Sequence, residues 1–132
     1  MLPVFVYGTL RTGAWNHERW LQPWLAAPCR LARLPDHALH HHDGLPYVVA
    51  TAGAEVAGEL ATMDPARYDA GLARLDVLED VEHRHYDRVQ VEVRVDGRTE
   101  PAWVWVAGPR VTAELGDSTV VAAGDFLTVE PS

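Results

Sequence analysis

A glutamate on an otherwise apolar helical stripe is the first candidate for chemistry in this 132-residue sequence. Four residues spaced i, i+4, i+7 and i+11 share one face of a predicted helix: Tyr68, Leu72, Leu75 and Glu79. The stripe that buries the apolar side chains therefore directs Glu79 inward. A carboxylate on an apolar face loses hydration, which raises its pKa toward neutrality, and such a group can carry a proton from one nitrogen to another. The alternative is a frayed helix end, with Glu79 paired to Arg88.

A loop bounded by two glycines follows the first apolar run of the chain. The run over 2–7 is rich in β-forming residues and predicts a buried strand, which ends at Gly8, and the loop continues to Gly13. A glycine-flanked turn at a strand end exposes successive backbone N–H groups, and these bind a carboxylate or another anion. On spacing alone, an ordinary tight turn remains the alternative.

Several kinds of catalysis are excluded by the residues that the sequence lacks. All eleven basic residues are arginine, so no lysine is present for a Schiff base or a phosphate-binding P-loop. Neither serine, Ser118 or Ser132, lies in a G-x-S-x-G elbow, and Cys29 alone cannot form an internal disulfide or a cysteine-built zinc site. The formal net charge of −8 disfavours a nucleic-acid partner. Carboxylates, histidines, tyrosines and backbone amides remain as the reactive groups.

A histidine-rich segment raises the alternative of a metal site. Its members are His37, His40, His41, His42 and Asp43. The segment coincides with a predicted turn and its spacing matches no standard metal site, so we expect a solvated loop without a metal. His83 and His85 are expected to be exposed, with one of them at the mouth of a cavity as the alternative.

Glu59 is the rival carboxylate. If it points into a cavity it shares the acid/base role, but a charge at a strand edge that faces water is the expected arrangement. Arg88 is expected to pair with Asp76 or Glu79 rather than with a substrate.

The pattern of the whole chain predicts one α+β domain over 1–132, dominated by antiparallel strands. Asp64 and Pro65 begin its principal helix, because a carboxylate caps the first turn and proline fits the first helical position. The helix is expected to end near Glu79 or Asp80. Further predicted elements are strands over 31–39, 46–50, 55–63 and 119–129, and a short helix over 14–25.

An alternating pattern predicts a β-hairpin after this helix. Valines alternate with polar residues over 89–95, Asp96–Gly97 supplies the turn, and the pattern resumes over 102–106. Trp103 and Trp105 share one face of the second strand. That face is either packed under another element or forms the wall of a site.

Four short segments follow one another in a distinctive order. They are Phe5-Val6-Tyr7-Gly8-Thr9-Leu10-Arg11-x-Gly13; Val56-x-Gly58-Glu59-Leu60; Leu75-Asp76-x-x-Glu79 with Tyr86-x-Arg88; and Gly124-Asp125-Phe126. This ordered set spans nearly the whole chain and resembles the γ-glutamylcyclotransferase-like family, which includes the AIG2-like proteins. Two positions differ from the family pattern: Ala61 stands in place of an aromatic residue, and Asp80 in place of a glycine.

The resemblance implies a fold, a reaction and a site. The fold is a small mixed β-barrel with flanking helices and a cavity at one end. In the reaction, the free α-amine of a γ-glutamyl group attacks its own side-chain amide carbonyl, which gives 5-oxoproline and releases an amine or amino acid. No metal or other cofactor is implied. By position, the general acid/base is Glu79, the loop that holds the γ-glutamyl group is Tyr7, Gly8, Thr9 and Leu10, and a further pocket residue is Tyr86.

Two other functions remain open from the sequence: a non-catalytic small-ligand-binding module on the same fold, and an amide hydrolase of another class. The expected partner is a small γ-glutamyl substrate, with no nucleic acid and no membrane, whereas the leaving group and the oligomeric state stay open. The N-terminus has no basic region, and no apolar run approaches the roughly 20 residues of a membrane helix. We therefore expect a cytoplasmic protein.

Overall fold

Five strands close into a barrel in the computed structural model of the protein, which describes residues 1–129. The strands are β1 (Val4–Val6), β2 (Arg30–His42), β3 (Leu45–Ala61), β4 (Tyr86–Val95) and β5 (Arg98–Ala107). Their order around the barrel is β1-β3-β2-β4-β5. Neighbouring strands are antiparallel except β1 and β5, which pair in parallel where Val4 lies opposite Trp103. The predicted mixed barrel is confirmed.

Two apolar clusters occupy the two sides of the barrel wall, because successive side chains of a strand point to opposite faces. Phe5 and Tyr7 belong to one cluster together with Leu34 and Leu60, which are fully buried. Val4 and Val6 belong to the other, which includes the helix residues Leu72 and Leu75. Each fully buried aliphatic side chain contributes about 1.5–3 kcal/mol by its removal from water.

The principal helix, α1 (Tyr68–Leu78), begins where the sequence predicts. The Asp64 carboxylate accepts the backbone N–H of Ala66 at 3.0 Å, and a 3₁₀ turn over Pro65–Arg67 leads into α1. A four-residue helix, α2 (Pro109–Thr112), follows β5. Within residues 1–129, no helix is both long enough and apolar enough to cross a membrane.

The hairpin of β4 and β5 also forms as predicted, with its turn at Asp96 and Gly97 in left-handed conformations. The indole N–H of Trp103 donates to the Tyr68 hydroxyl at 3.1 Å, and that of Trp105 donates to Asp76 Oδ1 at 2.9 Å. The tryptophan face is therefore packed under α1, and Trp105 contributes to the cavity described below as well.

The predicted strands over 46–50 and 55–63 are one strand, β3, and the histidine-rich segment is not a solvated loop. β2 continues through His42, so only Asp43 and Gly44 form the turn. The expected break in β3 is instead an irregularity of the ladder, where the Gly53 N–H donates to the Asp36 carboxylate at 3.1 Å. The turn-forming residues around Gly53 therefore form a bulge, and the β2–β3 hairpin continues on both sides of it.

Two predicted elements are wrong. The segment over 14–25 forms only short turns, a π-helical one at His17–Leu21 and a 3₁₀ one at Gln22–Trp24, because Pro23 interrupts a regular helix. The tail over 119–129 is not a strand but a coil with a 3₁₀ turn at Phe126–Thr128, held to the barrel by isolated contacts such as Ala57 N–H to the Gly124 carbonyl at 2.7 Å.

Candidate active site

A cavity of about 180 Å³ opens between the loop that follows β1 and the C-terminal end of α1. Its wall includes every site residue selected from the sequence: Tyr7, Gly8, Thr9, Leu10, Glu79 and Tyr86. It also includes Trp105, one of the two tryptophans considered as a site wall, and residues that the sequence did not select, among them Asn16 and Pro46. The volume is below the roughly 300–1,000 Å³ of pockets for drug-sized ligands, so it suits a group of amino-acid size.

Glu79 caps the C-terminus of α1, where its backbone N–H donates to the Leu75 carbonyl at 2.9 Å. Its carboxylate makes no hydrogen bond or ion pair with any residue of 1–129, and Arg88 binds Asp76 instead, with Nε 3.0 Å from Oδ1. Burial raises the pKa of Glu79 from its usual 4.5 to about 7, and the charge of Asp76 adds to the increase. The carboxylate is thus unpaired, lines the cavity and titrates near neutral pH.

In the cavity loop, which follows β1 over residues 7–10, the carbonyl groups bind the residues that follow the loop. Three carbonyl oxygens accept hydrogen bonds: Gly8 from the Arg11 N–H (3.0 Å), Thr9 from the Asn16 N–H (3.0 Å), and Leu10 from His17 Nδ1 (2.8 Å). The N–H groups of Gly8, Thr9 and Leu10 make no hydrogen bond to any residue of 1–129. Three successive amides at a cavity wall are therefore left to bind an anion.

Gly8 is required by the close approach of β3 to this loop. A Cβ atom at Gly8 would overlap the ring of Pro46, whereas the backbone of Gly8 does not need a left-handed conformation. The absence of a side chain lets the loop and the Pro46 end of β3 form one continuous wall.

Both tyrosines selected from the sequence are fixed by their hydroxyl groups. Tyr7 Oη donates to the Trp105 carbonyl at 2.6 Å, and Tyr86 Oη donates to the Pro46 carbonyl at 2.6 Å. Burial raises the pKa of both phenols, and the nearby Glu79 charge adds to each increase. Because their protons are committed to carbonyl oxygens, these residues shape the cavity and do not supply a free proton donor.

His85 lines the cavity, whereas His83 is exposed and binds Asp80, with Nδ1 2.7 Å from Oδ1. The ring of His85 is held by Tyr47, whose hydroxyl lies 2.8 Å from Nε2, and Tyr47 in turn stacks on Tyr86 with ring centroids 4.9 Å apart. No pattern in the sequence predicts this aromatic group, because Tyr47 reaches it through the pairing of β2 with β3.

Asn16 was also missed from the sequence. Its side-chain amide donates to Thr9 Oγ1 at 3.0 Å, in addition to the backbone hydrogen bond between the same residues. Asn16 meets Thr9 only because the segment after Gly13 folds back, which no periodicity in the chain predicts.

Glu59 neither faces water at a strand edge nor lines the cavity, so both interpretations from the sequence are wrong. It is only 5% exposed, and its carboxylate accepts hydrogen bonds from Arg11 and Thr12. A buried carboxylate requires such partners, and here they come from the loop that follows β1.

The histidine-rich segment makes several separate contacts outside the cavity. His40 is buried, with Nδ1 2.7 Å from the Thr119 hydroxyl, and His41 packs edge-on against Phe126. His42 Nε2 lies 3.1 Å from a Glu114 oxygen and 3.4 Å from an Asp43 oxygen. The side chains of His42, Asp43 and Glu114 are close enough to share a metal ion, but none of them lines the cavity.

Comparison with known proteins identifies the family of this barrel and cavity. Residues 4–128 match the family model described as gamma-glutamyl cyclotransferase, AIG2-like. The chain belongs to this family. No curated protein matches the chain by sequence.

Solved structures share the fold of this AIG2-like chain. An AIG2-like protein from Mus musculus has 24% identity and a TM-score of 0.70, over 100% of this chain and 86% of the other. An uncharacterised protein from Pyrococcus horikoshii has 22% identity and a TM-score of 0.67, over 96% and 90%. A structure described as gamma-glutamyl cyclotransferase has 23% identity and a TM-score of 0.63, over 80% and 66%.

One departure of this chain from the AIG2-like pattern has a structural explanation. Asp80, which stands where the sequence comparison expects glycine, has φ 51° and ψ 48°, in the left-handed region that favours glycine. Aspartate tolerates that conformation better than most residues, and so the turn after Glu79 is preserved.

Proposed function

We propose that this AIG2-like protein cyclises a γ-glutamyl amide to 5-oxoproline, with Glu79 as the general acid/base. The observation that carries the proposal is the presence, in one cavity, of a carboxylate and three backbone N–H groups that have no hydrogen-bond partner among residues 1–129. A single carboxylate that titrates near neutral pH serves a reaction in which one nitrogen loses a proton and another gains one.

The reaction begins with the α-amine of the γ-glutamyl group and its own γ-carbonyl carbon in one molecule. Binding only has to fold the substrate into a near-attack conformation. Much of the entropic cost of ring closure is then offset by binding energy and no longer adds to the activation barrier. Glu79 accepts the proton that the attacking nitrogen loses. It then donates that proton to the departing nitrogen as the C–N bond breaks, so 5-oxoproline and the free amine leave without net consumption of a proton by the enzyme.

The loop N–H groups are assigned to negative charge on the substrate. Gly8, Thr9 and Leu10 would bind either the α-carboxylate or the oxyanion that develops on the γ-carbonyl oxygen. Amides fixed in place cost little reorganisation when that charge appears. Tyr7 and Tyr86 would form the walls against which the γ-glutamyl chain folds.

We place the γ-glutamyl group in the interior of the cavity and the leaving group at its mouth, because the volume of about 180 Å³ suits a group of amino-acid size. The test is therefore a panel of γ-glutamyl amides that differ only in the leaving amine or amino acid. Products are separated chromatographically, because cyclisation releases 5-oxoproline whereas hydrolysis releases glutamate.

The three possible outcomes separate the functions that the sequence left open. Release of 5-oxoproline from at least one member of the panel is the expected result. Release of glutamate instead would establish an amide hydrolase. If a γ-glutamyl amide raises the melting temperature but no amide is cleaved, the protein binds the substrate without turning it over; it is then a binding module, and the proposal is wrong.

A further inference from the structure

A buried ionic cluster lies beneath the cavity loop, outside the cavity itself. Its centre is Arg11, which is 4% exposed; its Nε donates to Glu59 at 3.1 Å, and its Nη1 donates to Asp125 at 2.7 Å. Burying charges has a desolvation cost that an ion pair only about offsets, so stability relative to an apolar core does not explain the cluster. A role in fixing one arrangement of the chain does explain it.

Glu59 is connected to both ends of the cavity loop. On one side its backbone pairs with Val6, the last residue of β1 before the loop. On the other side its carboxylate accepts hydrogen bonds from Arg11 Nε and from Thr12, whose backbone N–H lies at 3.1 Å and whose hydroxyl lies at 2.6 Å. One residue of β3 thus fixes the chain just before Tyr7 and just after Leu10.

Between these two anchors lie the free amides of the cavity. Gly8, Thr9 and Leu10 span only the turn closed by the Arg11 N–H and the Gly8 carbonyl. The direction of their N–H groups therefore depends on where Arg11 and Thr12 are held. Because Glu59 is the common acceptor for both, a change at Glu59 is transmitted to the anion-binding amides without any contact between Glu59 and the cavity.

The tail of the chain completes the cluster. Asp125 Oδ1 binds Arg11 and also accepts the backbone N–H of Leu127 at 3.0 Å, while the preceding Gly124 carbonyl accepts the Ala57 N–H at 2.7 Å. Three of the four segments that carry the family resemblance therefore meet at Arg11, and only the segment of Glu79 does not.

We propose that Glu59 is a positioning residue that, through Arg11 and Thr12, sets the orientation of the Gly8, Thr9 and Leu10 amides toward the substrate. This inference rests on the proposed cyclisation, in which those amides bind the negative charge of the γ-glutamyl group. The two glutamates then have different roles: Glu59 supplies geometry, and Glu79 supplies proton transfer.

The test compares Glu59→Gln with Glu55→Gln. Glu55 is a matched control because it lies on the same strand, and its carboxylate pairs with Arg33 and Arg94, away from the loop. Both variants and the wild type are assayed for 5-oxoproline release across pH. We expect Glu59→Gln to lower kcat/KM by about ten- to a hundredfold and Glu55→Gln to change it less than twofold. The apparent pKa near 7 should be the same in all three, because Glu79 is untouched.

A second measurement does not depend on turnover. The backbone amide resonances of Gly8, Thr9 and Leu10 are followed by NMR during titration with 5-oxoproline. We expect these resonances to shift in the wild type and in Glu55→Gln, and to differ in position and respond weakly in Glu59→Gln. If Glu59→Gln does not fold, Thr12→Val replaces it, since this variant removes a single hydroxyl donor from an exposed position.

The outcomes of the two measurements separate this inference from the proposed function. A folded Glu59→Gln protein with wild-type kcat/KM and unchanged loop resonances would overturn the positioning role while the cyclisation stands. A wild type that releases no 5-oxoproline would defeat the proposed function, and the loop resonances alone would then decide the role of Glu59. A displaced apparent pKa in Glu59→Gln would also overturn the inference, because it would place Glu59 in the proton transfer.

Discussion

At the residue scale, the account depends on a carboxylate whose environment and partners differ from those of its neighbours. Asp76 and Glu79 lie one helical turn apart, yet Asp76 is bound by Arg88 and Trp105, whereas the Glu79 carboxylate has no partner within 1–129. Burial without a partner raises the pKa of Glu79, so its carboxylate gains a proton more readily than one in water. Such a difference between neighbouring carboxylates is how a fold assigns one a structural role and another an acid/base role.

The pH dependence of the reaction follows from this difference. Because Glu79 must be deprotonated to accept a proton, kcat/KM should fall about tenfold per pH unit below an apparent pKa near 7 and level off above it. Asp76→Asn should move this acidic limb to lower pH, since the charge of Asp76 helps to raise the pKa of Glu79. The measurement is kcat/KM for 5-oxoproline release from pH 5 to pH 9. Glu82→Gln, at an exposed position in the next turn, is the control. An acidic limb that stays at the same pH or moves to higher pH in Asp76→Asn contradicts the assignment.

At the element scale, the cavity depends on how closely the loop after β1 approaches the start of β3. In Gly8→Ala the added methyl group overlaps Pro46, so the loop or the strand must shift. We expect kcat/KM to fall at least tenfold, because small displacements of binding groups have large effects on rate, with a loss of about 1–3 kcal/mol in the free energy of unfolding. Gly116→Ala, which meets no atom within 4 Å, should change neither quantity. Wild-type kcat/KM in Gly8→Ala would show that the loop amides are not part of the site.

The turn after Glu79 gives a second prediction at this scale. The backbone of Asp80 lies in the left-handed region, which favours glycine and disfavours β-branched residues. Asp80→Gly should therefore raise the free energy of unfolding by up to about 1 kcal/mol, and Asp80→Val should lower it by about 1–2 kcal/mol. Urea denaturation of both variants measures the difference. The hydrogen bond that His83 donates to the Asp80 carboxylate is exposed and contributes little to either value. Equal stabilities for the glycine and valine variants would mean that the turn changes its conformation.

The sequence predicts elements well where one local rule decides the structure. The start of α1 follows from Asp64 and Pro65, and the β4–β5 hairpin follows from alternation around Asp96–Gly97. The sequence-based prediction fails where contacts between residues far apart in the chain decide the structure. The bulge in the β2–β3 hairpin depends on the Gly53 contact with Asp36, and the tail over 119–129 is held by single contacts rather than by a ladder.

The same distinction applies to the site. Glu79 is predicted because one periodicity places it on a buried face, and Tyr7 to Leu10 because they lie in one continuous segment that carries the family resemblance. Asn16, Tyr47 and the burial of Glu59 are not predicted, because each depends on two segments that meet only in the folded barrel.

At the scale of the whole molecule, the unpartnered carboxylate lowers stability. The folded protein holds a proton on Glu79 at pH values where the unfolded chain, with a pKa of 4.5, has lost it, so stability falls as the pH rises from about 4.5 through 7. Glu79→Gln removes this dependence. We expect the variant to be more stable than the wild type by up to about 3 kcal/mol at pH 8, and by less than about 1 kcal/mol at pH 5. Thermal unfolding at both pH values measures this; a variant less stable than the wild type at pH 8 contradicts the assignment of the pKa.

The most direct test of the central claim is the rate of 5-oxoproline release by Glu79→Gln, measured on the best γ-glutamyl substrate of the panel at pH 8. Glutamine keeps the size of the side chain but cannot accept or return the proton. The account predicts a kcat at least a hundredfold below that of the wild type, in a protein that remains folded, while Glu82→Gln retains wild-type activity. A Glu79→Gln protein whose kcat lies within tenfold of the wild-type value would show that the proton is carried by another group.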